Sequence, residues 1–211
     1  SFGKQYISSF KKFGFFSKNA KNMNSIEQVL YAGSLGYYFR NNINDFPKKG
    51  YASIDKTLID KTRKDLSSFK KKFKLGISWK SFNNQYAEQK SLSLEKLLFL
   101  FRLQDIDFFN LQYGEVSKEI NQFNINNNVN LVNLNEIDLF NDFLSIASLL
   151  KNLDLFITVS NSTAHLAGAL NVNTILIKPF NHATLFYWDQ KSNKTPWYPS
   201  IDLVDGDMVS D

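Results

Sequence analysis

Residues 153–180, LDLFITVSNSTAHLAGALNVNTILIKPF, leave a folding chain little choice. Leu155-Phe156-Ile157-Thr158-Val159 is a short apolar, β-branched run, suited to a strand buried on both faces of a parallel sheet. Ser160-Asn161-Ser162-Thr163 follows, four consecutive small polar residues of the types that cap a helix. Ala164 to Leu170 continues as helix, and Ala164, Ala167, Gly168 and Ala169 are small enough to let it lie close to a sheet. Asn171-Val172-Asn173 turns the chain, and Thr174-Ile175-Leu176-Ile177 is a second buried strand. A strand feeding a hydroxyl-rich helix N-terminus is an anion site, because unpaired backbone N–H groups and the helix dipole both favour negative charge there. The segment points to a phosphate-bearing ligand.

The alternation extends to both sides. Leu75–Trp79, Asp107–Leu111 and Val129–Leu134 read as strands, and Ile201–Val204 as a last edge strand. A helix runs from Ser93 to about Arg102 with Leu94, Leu97, Leu98 and Phe101 inward. Val116–Phe123 is a short helix, Phe140–Leu150 a helix bearing Phe143, Ile146, Ala147 and Leu150, and Leu185–Asp189 a helical turn. Repeating βα units of this length predict an α/β fold: a mostly parallel sheet flanked by helices, with Leu155–Thr158 near its centre. Ligands bind along the edge formed by the strands' carboxyl ends. Before Phe73 the alternation is absent. Ser1–Asn24 is basic and aromatic, and Ile26–Tyr31 reads as a short strand or helix. Gly33-Ser34-Leu35-Gly36 is a turn, Tyr37–Asn41 is helical, and Pro47 to Gly50 breaks the chain. Asp55–Lys72 is an amphipathic helix with Leu58, Ile59, Leu66 and Phe69 as its apolar positions. The expected division is residues 1–72 and an α/β domain over 73–211.

Composition narrows the class. Twenty Phe and 43% hydrophobic content in 211 residues give a sizeable core, yet no apolar run is long enough to span a bilayer. An integral membrane protein is not expected. The absence of Cys excludes disulfides and thiolate metal sites, and two His, His165 and His182, cannot build a His-rich zinc site. No signal-peptide pattern follows the first residue, Ser1, so the expected location is cytoplasmic and the chain reads as a fragment or a trimmed protein. A net charge of +5 permits nucleic-acid binding, but the lysines are spread out. The dense run Lys70-Lys71-Lys72-Phe73-Lys74 reads as a solvated helix end or linker. Three Trp and nine Tyr form no regular stacking platform, so nucleic acid is not an expected partner.

Several segments, in order, resemble the C-terminal nucleotide-sugar-binding domain of GT-B glycosyltransferases. Leu75-Gly76-Ile77-Ser78-Trp79 looks like the family's KxGLxW strand, and Ser91-Leu92-Ser93-Leu94-Glu95 like its RSIPL helix start. Phe109-Asn110-Leu111-Gln112 looks like FVSLQ, and Asp142–Asp154 like the helix leading into LDLVITVDT. Ser162–Leu170 resembles TAVAHLAGALG without its last Gly, and Thr195-Pro196-Trp197-Tyr198-Pro199 resembles SPWYPS. Gly33-Ser34-Leu35 with Phe39-Arg40 resembles a GSLPRLFR loop at the end of the preceding domain. The likeness covers residues 28–204 and is greatest to bacterial tetratricopeptide-linked glycosyltransferases, with heptosyltransferases and O-GlcNAc transferases more distant. The chain departs from the pattern at Ser160, where the family usually has Asp, and at Gly36, where it has Pro.

The resemblance implies a Rossmann-like domain of GT-B type in an inverting, metal-independent transfer of sugar from a UDP- or ADP-type donor to an unknown acceptor. No cofactor or metal beyond that donor is implied. Ser160, Asn161, Ser162 and Thr163 are the candidate diphosphate contacts, with ordinary capping as the plainer role. His165 is a candidate for a hydrogen bond near the phosphate turn. Gln112, ending a strand, is a candidate for the base or ribose. Lys80 is the candidate catalytic cation that neutralises the leaving diphosphate, with Lys90 as its rival. Asp142 fits a helix cap, and Trp79, Trp188, Trp197 and Tyr198 fit packing. A nicotinamide dehydrogenase is disfavoured because Trp79-Lys80-Ser81-Phe82 stands where G-x-G-x-x-G belongs. No P-loop and no DxD pair after a strand is present. The alternative is a non-catalytic nucleotide-sugar or protein-binding module of the same fold, which Ser160 and the short N-terminal region favour. A GT-B site needs two facing domains, so residues 1–72 are expected to be a remnant or the end of an acceptor-side domain plus a linker helix.

Overall fold

The structure, a computed structural model, describes residues 35–82, 87–178, 184–188 and 192–206. The readings for Ser1–Asn24, Ile26–Tyr31 and the Gly33-Ser34 half of the first turn lie outside them, as do His182 and Asp189. The chain forms two compact units, Ser1–Phe46 and Pro47–Asp211. In the first, α1 (Leu35–Phe39) precedes a 3-10 turn, Ile43–Asp45. Asn42 caps that turn: its side chain accepts from Asn44 N, and Asp45 accepts from Asn42 N in return. The Arg40 guanidinium lies 5.8 Å above the Phe46 ring.

The second unit is built on six strands: β1 (Phe73–Ser78), β2 (Ile106–Asn110), β3 (Leu131–Val132), β4 (Leu155–Val159), β5 (Thr174–Lys178) and β6 (Ile201–Asp205). They form one sheet in the order β3-β2-β1-β4-β5-β6, and every neighbouring pair is parallel. This is the expected α/β sheet, with Leu155–Thr158 paired in parallel to Leu75–Ser78 at its centre. The helices are α2 (Lys56–Asp65), α3 (Ser117–Asn127), α4 (Phe143–Leu150) and α5 (Ser162–Ala169).

Alternate strand residues feed two cores, as the pleat requires. Leu75, Ile77, Phe108 and Ile157 meet Leu97, Leu100, Ile120 and Phe123 on one face. Phe109, Leu111 and Phe156 meet Ile146, Leu149, Leu150, Ala167 and Leu170 on the other. Each such side chain removed from water contributes about 1.5–3 kcal/mol. The second core also takes Leu66, and residues 47–72 pack with this unit. Ser148 donates to Leu58 O at 2.8 Å, Asn152 to Ile59 O at 3.0 Å, and Ala52 N to Ala169 O at 2.9 Å.

Several elements differ from expectation. The helix expected over Asp55–Lys72 ends as α2 at Asp65 and continues only as a 3-10 turn, Leu66–Ser68, and the helix expected from Phe140 begins at Phe143. Leu94–Arg102 is a 3-10 helix rather than an α-helix. Its buried residues are Leu94, Leu97 and Leu100, spaced by three, while Leu98 and Phe101 are half-buried. Three residues per turn aligns that spacing on one face. The strand expected over Val129–Leu134 is only Leu131–Val132. Asn124 holds the edge by accepting from Leu131 N and donating to Leu131 O, so side-chain amides replace a further ladder. The lysine run leads into β1 at the sheet's amino edge, where Lys71 N donates to Asp107 and Lys71 Nζ to Ile106 O. No helix among the described residues is long and apolar enough to cross a membrane.

Candidate functional site

The strand order reverses between β1 and β4. Crossovers leave in opposite directions there, so the chain opens a crevice at the carboxyl ends of those two strands. The residues following both strands are tied together across it. Asn161 Nδ2 donates to Ser78 Oγ at 2.8 Å and to Lys80 O at 3.4 Å. Its Oδ1 accepts from Ala164 N at 3.0 Å, which makes Asn161 the N-cap of α5. The side chain of Asn161 is therefore buried and committed to the frame. In helical geometry the first-turn N–H groups lack acceptors within the helix. With Ala164 N capped, the N–H groups of Ser162 and Thr163 are what this helix end offers. The Ser162 side chain is exposed and Thr163 is buried.

Gln112 also serves the frame. One oxygen, Oε1, accepts from Ser78 Oγ, Trp79 N and Lys80 N at 3.0, 2.9 and 2.6 Å. Its Nε2 donates to Tyr113 O at 2.9 Å. Gln112 thus ties the exit of β1 to the exit of β2, with backbone donors that a hydrophobic residue would orphan. Ser160 is buried, and its Oγ accepts from the Trp188 indole at 3.1 Å. That hydroxyl holds the aromatic turn that follows β5. His165 lies among Tyr187, Trp188 and Tyr198, and its Nδ1 shares a 3.0 Å hydrogen bond with the Tyr198 hydroxyl. Burial, then the charge of Lys90, lowers its pKa from the ordinary 6.5 to about 4, so the ring is neutral at pH 7. Burial also pushes the Tyr198 phenol well above its usual range.

The two lysines part company. Lys80 Nζ pairs with Glu119 in the first turn of α3, and Glu119 also accepts from Trp79 Nε1 at 3.0 Å. Lys90 closes the 3-10 turn Glu88–Lys90, is 6% exposed, and has its pKa lowered by desolvation. Its turn is tied to the exit of β1, where the Ser91 hydroxyl accepts from Ser81 N at 3.0 Å, and its charge acts on His165. Asp142 caps α4, accepting from Ser145 N at 3.1 Å. Trp79 and Trp188 are fully buried.

Beside this frame, at the carboxyl ends of β2 and β3, lies a cavity of about 490 Å³. Gln112 is in its wall, so the cavity adjoins the β1 exit; Tyr113, Glu115, Asn133 and Phe140 also line it. The sequence reading missed Glu119, Tyr113 and Phe140. Glu119 had a signal, an acidic side chain in a helix's first turn. The two aromatics are isolated in sequence, and only the fold brings them to one wall. Among the described residues no cluster of three or more His, Cys, Asp or Glu forms a metal site.

No family model matches the chain. Over 130 residues it is 29% identical to Protein FlbA of Caulobacter vibrioides, a match covering 61% of this chain and 21% of that protein. Its fold is similar to the glycosyl transferase family 9 structure from Veillonella parvula DSM 2008 (TM-score 0.55, 10% identity, 74% of this chain and 42% of that one). It is also similar to E. coli ADP-heptose lps heptosyltransferase II (TM-score 0.54, 12% identity, 82% and 53%). The chain spans about a fifth of the curated relative and about half of each enzyme structure. The shared property is the fold, an α/β Rossmann-like sheet of GT-B glycosyltransferase type.

Proposed function

We propose that this chain carries the donor site of a glycosyltransferase that uses a nucleotide sugar. The supporting observation is the convergence at one sheet edge of three groups. They are the α5 N-terminus, the buried cation Lys90 and the adjoining cavity at β2 and β3. A diphosphate set against the Ser162 and Thr163 amides places its nucleoside toward the cavity. Attack by an acceptor hydroxyl on the anomeric carbon breaks that carbon's bond to the diphosphate oxygen and inverts the centre. Charge then grows on the departing diphosphate, where the helix N-terminus and a lysine lower the barrier. Lys90, whose side chain is buried, and Lys80, whose ammonium pairs with Glu119, are the two candidates for that role. His165 acts as a neutral brace for the turn. The acceptor hydroxyl and its base come from a facing domain, as in the tetratricopeptide-linked transferases the sequence resembles. The second reading, a module that binds the donor without turnover, is favoured by the Ser160 hydroxyl being held by Trp188.

A thermal-shift series tests the donor site. A nucleoside diphosphate at 100 times its Kd stabilises by about 2.7 kcal/mol, a rise of roughly 5–10 °C for a unit of this size. UDP or ADP should give such a shift; Ser162→Asp, which sets a carboxylate in the anion site, should abolish it, and Lys90→Met should reduce it. No response to any nucleoside diphosphate would overturn the reading. Hydrolysis or transfer of a bound donor separates the enzyme from the module, which would bind it without turnover.

A further inference from the structure

Phe140 is 61% exposed, yet it is not on a loose loop. Asp138 Oδ1 accepts from Phe140 N at 2.9 Å and from Asn141 N at 3.1 Å, while Oδ2 accepts from Asn141 Nδ2 at 2.9 Å. A single exposed phenyl is ordinary on a protein surface. This one lines the cavity at β2 and β3 together with Tyr113, and the two rings meet edge to face, centroids 5.9 Å apart at 63°. Tyr113 is held in turn by Phe82, from the loop after β1, at 5.3 Å. Gly114 permits that contact. Its φ of +91° is one that side chains rarely adopt, and an added Cβ would lie 2.5 Å from Phe82 Cζ. Another part of the lining is amide: Asn110 Nδ2 donates to Asn133 Oδ1, and Asn133 Nδ2 to Asn135 Oδ1, each at 2.8 Å.

Two aromatic rings at an angle, with carboxamides in the same lining, make a notch for a flat ligand that also carries hydrogen-bonding edges. A nucleobase has both properties; a sugar ring lacks the flat face. Resting on the reading that this edge binds a nucleoside diphosphate, we propose that Tyr113 and Phe140 form its base-stacking clamp. Phe82 and Gly114 are positioning residues that hold Tyr113 in the notch. Stacking of a base on an aromatic side chain is tolerant of base identity. The clamp therefore contributes affinity for nucleosides in general, and the carboxamides select among them.

Calorimetric titration of the whole chain with UDP, ADP and the corresponding nucleotide sugars, and competition with pyrophosphate, test the clamp. Phe140→Ala should weaken UDP and ADP roughly 10- to 100-fold and leave pyrophosphate unchanged. Phe140→Trp should restore nucleotide binding. Gly114→Ala should give a similar loss without removing a ring, by displacing Phe82. Unchanged UDP and ADP affinity in Phe140→Ala would overturn the clamp and leave the donor site standing. So would an equal loss for pyrophosphate, or a loss confined to nucleotide sugars. Binding of neither nucleotides nor pyrophosphate to the unaltered chain would overturn both.

Discussion

His165 is a histidine kept neutral by its surroundings. It sits one turn into α5, among three aromatic rings, with Lys90 adding positive charge nearby. Its folded pKa of about 4 lies below the ordinary 6.5, so between those values the unfolded chain binds the extra proton. Stability from this group is complete above pH 6.5 and declines as pH falls to 4. At about 1.4 kcal/mol per pH unit of offset, the loss approaches ~3 kcal/mol at the bottom of that window. Urea unfolding at pH 7.5 and pH 5 should show a larger fall for the unaltered chain than for His165→Gln. Equal falls would refute the assignment. At this scale the sequence was informative where roles are local. The N-cap at Asn161 was legible because capping needs only neighbours in the chain. The pairing of Lys80 with Glu119 was not, because it joins residues 39 apart in the chain. Gln112 was placed at the ligand edge by its strand, but its bonds to Ser78, Trp79 and Lys80 join segments 34, 33 and 32 residues apart.

The element that matters most is α5. Ala164 and Ala167 are fully buried, as their size suggested, and the Gly168 face lies under Tyr198. An alanine Cβ at 168 would lie 2.4 Å from Tyr198 Cγ and Cδ1. That ring is held by its bond to His165 and by stacking on Tyr51 at 6.3 Å. Gly168→Ala gains helix propensity of about 1 kcal/mol, but overpacking costs about 1–3 kcal/mol or more. We expect a net loss of stability and a fall in Tm of a few degrees, measured by thermal unfolding; a stabilised variant would show that Tyr198 is not fixed. The five longer strands were legible because fully buried strands are short apolar runs bounded by turn residues. The 3-10 helix was not distinguished from an α-helix because Leu94 and Leu97 fit either period. The brevity of β3 depends on Asn124, an amide from a different element.

Across the whole molecule, function is an effect of topology. Parallel strands deliver every loop that carries a candidate group to one edge, and the reversal at β1 and β4 opens it. The lysine run at residues 70–74 enters β1 at the opposite edge. Fold likeness to glycosyltransferases narrows the chemistry but does not assign it, since sites rather than folds carry function. The central claim is that a nucleoside diphosphate occupies the carboxyl edge at the switch point. The most direct measurement is the set of backbone amide resonances that move when UDP or ADP is titrated into the isotopically labelled chain. The account predicts that the largest changes fall at residues 79–81, 112–115 and 161–165. Changes confined to the amino edge, around residues 71–74 and 105–107, or none at saturating nucleotide, would contradict it.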